Sequence, residues 1–327
     1  MVILANKKGN EVRQQCFKKI DIELSGNSDF EMIINAWEWD EAFEYGARIF
    51  VPDTEFGGII SGMETNTADN VIKVSGSTWR GILKNKIIIP PNGEAYKIVT
   101  GDLNKILKLL IEDAGLSGIF SVQEVPSLEI TYQFERYVTL YDGIIKMLAA
   151  VGYRLDVVYV QGTRGASGYV ELSSKPIVDY SKTVEFSQDS QLDFTYKEKH
   201  TRINHLIALG QGELTNRLVA ELFIQADGSV GPIPYYKGIE DATAVYDDTT
   251  ISTEEELVKK GTEKLIELYG TPLMSITIET IPKQVQIGDI VGGRDYITGL
   301  HMAETVTNKI YKEENNQVLI EYEIGQK

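Results

Sequence analysis

One cysteine, Cys16, and three histidines, His200, His205 and His301, are all the thiol and imidazole side chains in 327 residues. A lone thiol forms no internal disulfide and no thiolate-bound zinc site, and neither a partner base nor a pKa-lowering motif accompanies it. His200 and His205 stand five apart in a strand-rich stretch. That spacing puts them on opposite faces of a strand, so they do not converge on a shared metal. Basic residues are also short: 32 Lys and Arg face 48 Asp and Glu, a formal charge of −16. This balance excludes the clustered cations that nucleic acid requires and disfavours an anionic membrane surface. No apolar run approaches the roughly 18 residues of a membrane span. The opening Met1-Val2-Ile3-Leu4-Ala5 gives way to Lys7 and Lys8 too early for a signal peptide. A soluble protein made in the cytoplasm, without membrane insertion, is expected.

What is present is enough apolar material, 43% of residues, for a sizeable core. Residues 1–93 alternate in period two, as in Ile20, Ile22 and Leu24 or Phe30, Met32 and Ile34, with turn signals at Ser25-Gly26-Asn27, Phe56-Gly57-Gly58 and Ala68-Asp69-Asn70. This reads as a first β-barrel-like domain, ended by Pro90-Pro91-Asn92-Gly93. Over 94–180 the period becomes helical: Leu103, Ile106, Leu107, Leu110 and Ile111 form one stripe, with Thr100 or Asp102 as the cap and Gly115 as the stop. Thr139-Leu140-Tyr141-Asp142 announces a second helix ending at Gly152, and a hairpin closing near Pro176 completes an α/β insert. Residues 181–234 and 271–327 return to alternation as a second barrel-like domain. Between them, 235–270 is a small acidic insert whose helix starts at Ser252-Thr253-Glu254-Glu255 with a stripe of Leu257, Leu265 and Leu268. The fold class is α+β: two barrel-like domains with an α/β insert and a smaller helical one.

Candidate chemistry is sparse. Trp37 and Trp39 flank Glu38 and Asp40, with Glu41 and Glu44 beyond, which admits an acidic aromatic sugar cleft worked by paired carboxylates, or a carbohydrate-binding surface without a reaction. A solvated surface loop is the simpler reading. Asp247 and Asp248 lack the spacing of a calcium loop. Gly162, Gly165 and Gly168 follow a strand without opening a helix, and so suit a hairpin loop better than a phosphate cradle. No Gly-x-Ser-x-Gly, His-Glu-x-x-His or Walker sequence occurs. No catalytic centre, metal or cofactor is therefore expected. Trp79-Arg80 is an interface candidate because both residue types are enriched at hot spots. The competing reading puts Trp79 in the barrel core and Arg80 on its rim. Trp37 and Trp39 are the other interface candidates.

The runs Phe56-Gly57-Gly58-Ile59-Ile60-Ser61-Gly62-Met63-Glu64, Val74-Ser75-Gly76-Ser77-Thr78-Trp79-Arg80-Gly81-Ile82-Leu83 and Lys86-Ile87-Ile88-Ile89-Pro90-Pro91 resemble phage and prophage tail hub proteins. So does the end of the chain, from Val291-Gly292-Gly293-Arg294-Asp295-Tyr296 to Ile320-Glu321-Tyr322. The resemblance implies a homotrimer in which two barrel-like domains per subunit form a quasi-sixfold ring. Its partners would be the hexameric tail tube protein and other tail-tip or baseplate proteins, in a virion tail assembled in the bacterial cytoplasm. It also implies that any cell-wall-digesting module lies outside this chain.

Overall fold

The computed structural model describes residues 1–163, 166–181, 185–186, 193–196, 203–270, 274–278, 285–294 and 301–325. His200, Gly165 and residues 295–300 lie outside these. The period-two patterning at the start becomes seven strands: β1 (Val2–Ala5), β2 (Glu11–Gln15), β3 (Lys19–Glu23), β4 (Asp29–Asn35), β5 (Arg48–Phe50), β6 (Gly57–Asn66) and β7 (Val71–Thr78). Ile20 and Ile22, then Phe30, Met32 and Ile34, then Ile72 and Val74 are buried while their neighbours face outward, so one face of an antiparallel sheet supplies the core. The segment is not all β. Thr78 accepts a hydrogen bond from the Gly81 N–H and caps a short helix, α1 (Trp79–Lys84).

The α/β segment follows as β8 (Ile98–Asp102), α2 (Leu103–Asp113), β9 (Phe120–Val122), β10 (Glu129–Gln133), α3 (Leu140–Ala149), β11 (Tyr153–Val160) and β12 (Tyr169–Pro176). Asp102 rather than Thr100 caps α2, accepting from Asn104 and Lys105, and Thr139 caps α3. Gly115 and Gly152 follow the two helices with φ of +69° and +74°, where a side chain would be strained. The α2 stripe packs with Met147 and Leu148 of α3 and with Trp79 and Leu83 of α1. Ile3, Ala5 and Phe50 belong to the same cluster, so the insert's core is continuous with that of the first strands.

The remaining elements are β13 (Glu185–Phe186), β14 (Asp193–Tyr196), β15 (His205–Leu209), β16 (Val219–Ile224), β17 (Val230–Gly231), β18 (Thr243–Asp247), α4 (Glu254–Tyr269), β19 (Met274–Ile278), β20 (Ile290–Arg294), β21 (His301–Glu314) and β22 (Gln317–Ile324). β21 pairs antiparallel with β3 from Ile310↔Glu23 to Glu314↔Lys19, which joins the two ends of the chain in one sheet. Its order is β14-β19-β22-β21-β3-β4-β7-β6-β5-β1-β2, with β20 on β21 and β13 on β20. Among the described strands this path is open. The first and last β segments thus meet in one hydrogen-bonded sheet.

Two compact units emerge, Met1–Thr195 with Met274–Lys327, and Tyr196–Leu273. The expected boundary at 235 therefore moves to 196. The reason lies in α4: its buried Leu257 and Leu265 need a sheet to cover, and the sheet they cover is β17-β16-β15-β18, with Leu206, Ala208, Leu222 and Ile224 in the shared core. Helix and sheet approach closely at Gly261, where an added Cβ would sit 2.7 Å from Leu222 Cδ1. Leu268, expected in the stripe, is 36% exposed.

Candidate interaction surface

Trp79 and Arg80 are interior residues. Trp79 is fully buried and Arg80 is 1% exposed, so neither presents a face to a partner, and Arg80 does not cover a rim. The α1 cap forces this outcome. With Thr78 as the last strand residue facing the core, the first helical turn drives both side chains inward, where Trp79 stacks on Tyr159 at 5.4 Å. The Arg80 guanidinium grips Glu55, in the β5–β6 turn, through two nitrogens; Nη2 reaches Oε2 at 3.0 Å, and Nε donates to Oε1. Its remaining donors go to the Tyr141 hydroxyl and the Leu155 carbonyl, both at 3.3 Å. One buried cation thereby ties a β-turn to α3 and β11. Burial works against its charge, but Glu55 more than compensates and holds the guanidinium firmly protonated.

A second buried cation, Lys309 on β21, donates to Gln286 Oε1 at 2.9 Å and the Val285 carbonyl at 3.2 Å, between the rings of Tyr322 and Phe56. Desolvation lowers its pKa to about 8. Asp289, with no exposed surface, accepts from Arg154 Nε at 2.8 Å and from the Val178 and Gln286 amides. These ionic residues escape a motif search, because their partners lie on different elements. The only hint in the sequence is a charge at an otherwise inward-facing register.

Trp37 and Trp39 stand at the surface, 72% and 44% exposed, with Tyr45 at 65%. They ride on two consecutive 3-10 turns, Ala36–Glu38 and Glu41–Phe43. The neighbouring carboxylates are largely committed. Glu38 Oε2 accepts from the Asn35 amide at 3.1 Å, Asp40 accepts from Ala42 N and pairs with Arg13, and Glu44 pairs with Lys7 at 3.0 Å. The hydrogen bond from Arg13 holds the Asp40 carboxyl below the usual range. A general acid in a glycosidase needs a raised pKa, and Asp40 is shifted the other way.

Elsewhere the reserve candidates have local partners. Asp248 Oδ1 accepts from Thr250 N at 3.1 Å and Thr250 Oγ1 at 2.6 Å, while Asp247 pairs with Arg217: a charged turn. His205 stacks on Phe223 at 4.2 Å and lies 2.9 Å from Thr243 Oγ1. Cys16 is exposed. Gly162 and Gly168 belong to the β11–β12 hairpin loop, where Gly168 N–H donates to the Gly9 carbonyl at 2.9 Å and Arg48 Nη1 to the Gly168 carbonyl at 2.7 Å. Among the described residues no group of three or more His, Cys, Asp or Glu is placed to hold a metal. The outer face of the large sheet is hollowed along Ser61, Ser75 and Ser77, with Asp21 directly opposite Glu31 across β3–β4. Burial raises the Asp21 carboxyl, against the opposing charge of Lys312.

No protein-family profile matches the sequence, and no curated protein matches it. Solved structures do. The 43 kDa tail protein of prophage MuSo2 from Shewanella oneidensis is similar over 99% of this chain and 98% of its own, at 15% identity and a TM-score of 0.57. A tail protein from Neisseria meningitidis is similar over 99% and 96%, at 14% identity and 0.53. A chain of the phage P2 baseplate in its activated conformation with Ca is similar over 99% and 98%, at 8% identity and 0.51. The chain has the fold of phage tail and baseplate proteins along nearly its whole length.

Proposed function

We propose that this chain is a structural component of a phage or prophage tail, a homotrimeric hub that joins the hexameric tail tube to the tail tip or baseplate. The observation that carries the reading is the extent of the likeness: 99% of this chain is matched with 98% of a prophage tail protein, so both inserts and both β segments are included. A role in assembly rather than in a reaction accords with a surface whose carboxylates beside Trp37 and Trp39 are engaged in capping and ion pairs.

In this proposal β1–β7 and β19–β22 supply the two barrel-like halves of each subunit. Three subunits then offer six near-equivalent faces to a sixfold ring, and closed cyclic symmetry leaves no unsatisfied end. Residues 240–256 carry seven acidic side chains and no basic one. Their symmetry copies would repel if brought close, so this stretch belongs outside the trimer contacts.

Sedimentation of the chain alone and mixed with its tube protein tests the assignment. A trimer, alone or formed on the tube, is the expected species. A monomer under both conditions, even at high concentration, would refute the hub.

A further inference from the structure

Residues 36–46 combine three features found together nowhere else among the described residues. Trp37, Trp39 and Tyr45 are all strongly exposed. Four acidic residues and no basic one share the segment. The backbone is also locally pinned. Glu38 and Asn35 close a capping box, Asp40 caps the second turn, Arg13 Nη2 donates to the Glu38 carbonyl at 3.4 Å, and the Gly46 amide donates to the Ile60 carbonyl at 2.9 Å. Gly46 has a φ of +90°, which a side chain would resist. Large rings are therefore displayed on a pre-ordered turn, where little conformational entropy remains to be lost on binding.

Exposed indole and phenol rings on a folded protein invite a partner, and the surrounding charge selects its chemistry. A ring face carries negative potential and attracts ammonium and guanidinium groups, indole most strongly. Lys7 and Arg13 offset Glu44 and Asp40, whereas Glu41 is exposed and has no ion-pair partner among the described contacts. The segment thus keeps net negative charge in the same stretch of chain as its exposed rings. A neutral sugar would gain from the rings but not from that charge, and it would find Glu38 and Asp40 already occupied with backbone amides.

We infer that residues 36–46 form a docking platform for lysine and arginine side chains displayed by a protein partner, with Trp37, Trp39 and Tyr45 as the anchoring rings and Glu41 as the free counter-charge. The inference goes beyond the tail-hub reading, since it requires neither a trimer nor a tube.

The test uses the full chain and a labelled hexa-arginine peptide, followed by fluorescence anisotropy at physiological salt, with an N-acetylglucosamine hexamer as competitor. The control for non-specific attraction to an acidic protein is the W37A/W39A variant, which keeps every charge. Saturable binding that weakens about tenfold or more in W37A/W39A, and several-fold in E41Q, is expected. Displacement by the sugar should be absent. Both tryptophans are exposed, so circular dichroism should show an unchanged fold. Equal peptide affinity in wild type and W37A/W39A would overturn the inference, as would no binding, or displacement by the sugar hexamer. Failure of the chain to trimerise would leave this result standing, so the two readings fail separately.

Discussion

Replacing Arg80 by Met tests whether the interior ion pair holds the insert against the sheet. The side chain is 1% exposed and its partner Glu55 is 7% exposed. R80M removes the bidentate contact together with the bonds to Tyr141 and Leu155, and it leaves the Glu55 carboxylate desolvated, with only the charge of Lys309 to offset it. Breaking a buried pair on one side costs roughly 3–5 kcal/mol. For a chain of this size that corresponds to a Tm lower by about 10 °C, at some 2–4 °C per kcal/mol. The informative variant is the double E55Q/R80M, in which neither member of the pair is left charged and Met fills much of the arginine's volume. It should lose about 1–3 kcal/mol less than the two single variants combined. Thermal unfolding followed by circular dichroism, with near-ultraviolet signals from the buried Trp79 reporting the same region, measures all four corners of the cycle. Additive losses, or an R80M variant within about 1 kcal/mol of wild type, would refute the argument that this pair is a structural tie.

Lys309 makes a pH-dependent prediction. Its folded pKa of about 8 lies below the ordinary 10.5, so the unfolded chain binds this proton more tightly. Below pH 8 a penalty of roughly 3 kcal/mol is fully present, and it is relieved as pH rises from about 8 to 10.5. Wild type should therefore gain stability relative to K309M across that window, and parallel curves from pH 7 to 10 would contradict it. G76A should destabilise by more than about 2 kcal/mol, because its Cβ would lie 1.9 Å from the Ile59 carbonyl oxygen and 2.8 Å from the Phe30 ring; an unchanged urea midpoint would count against the packing described. T253A removes the α4 cap and should cost about 1 kcal/mol, read from the melting of the unit containing residues 196–273. Zymography on cell-wall material should show no clearing by the wild-type chain, and a cleared band lost in E38Q, D40N or E44Q would establish an enzyme instead.

Features that depend on near neighbours are legible along the chain. The helix start at Thr139, and within a residue or two those at Asp102 and Thr253, follow from side chains that reach amides two or three residues on, and stops follow from glycines at positive φ. Strand faces follow from period two, because alternate side chains point to opposite sides whatever the strand pairs with. The likeness to tail proteins rested on longer runs, and the shared fold upholds it. The exposure of Trp37 and Trp39 was open to an alternating pattern only as a possibility, since an indole suits a core equally well.

Tertiary structure alone decided the rest. Alternation states which face of a strand is buried but not which strand lies beside it. Hence β15 and β16 read from the sequence as part of the second β segment although they belong to the unit Tyr196–Leu273, and the join between β3 and β21 has no local sign. Asn308 meets Glu23 across 285 residues of sequence, and Arg80 meets Glu55 on a different element. No short-range pattern encodes either contact. Trp79 and Arg80 show the reason most directly: residue type admits either interface anchors or a core tryptophan with a rim arginine, and the cap at Thr78 turns both side chains inward. That turn placed an arginine where only a carboxylate from a distant loop makes its charge tolerable.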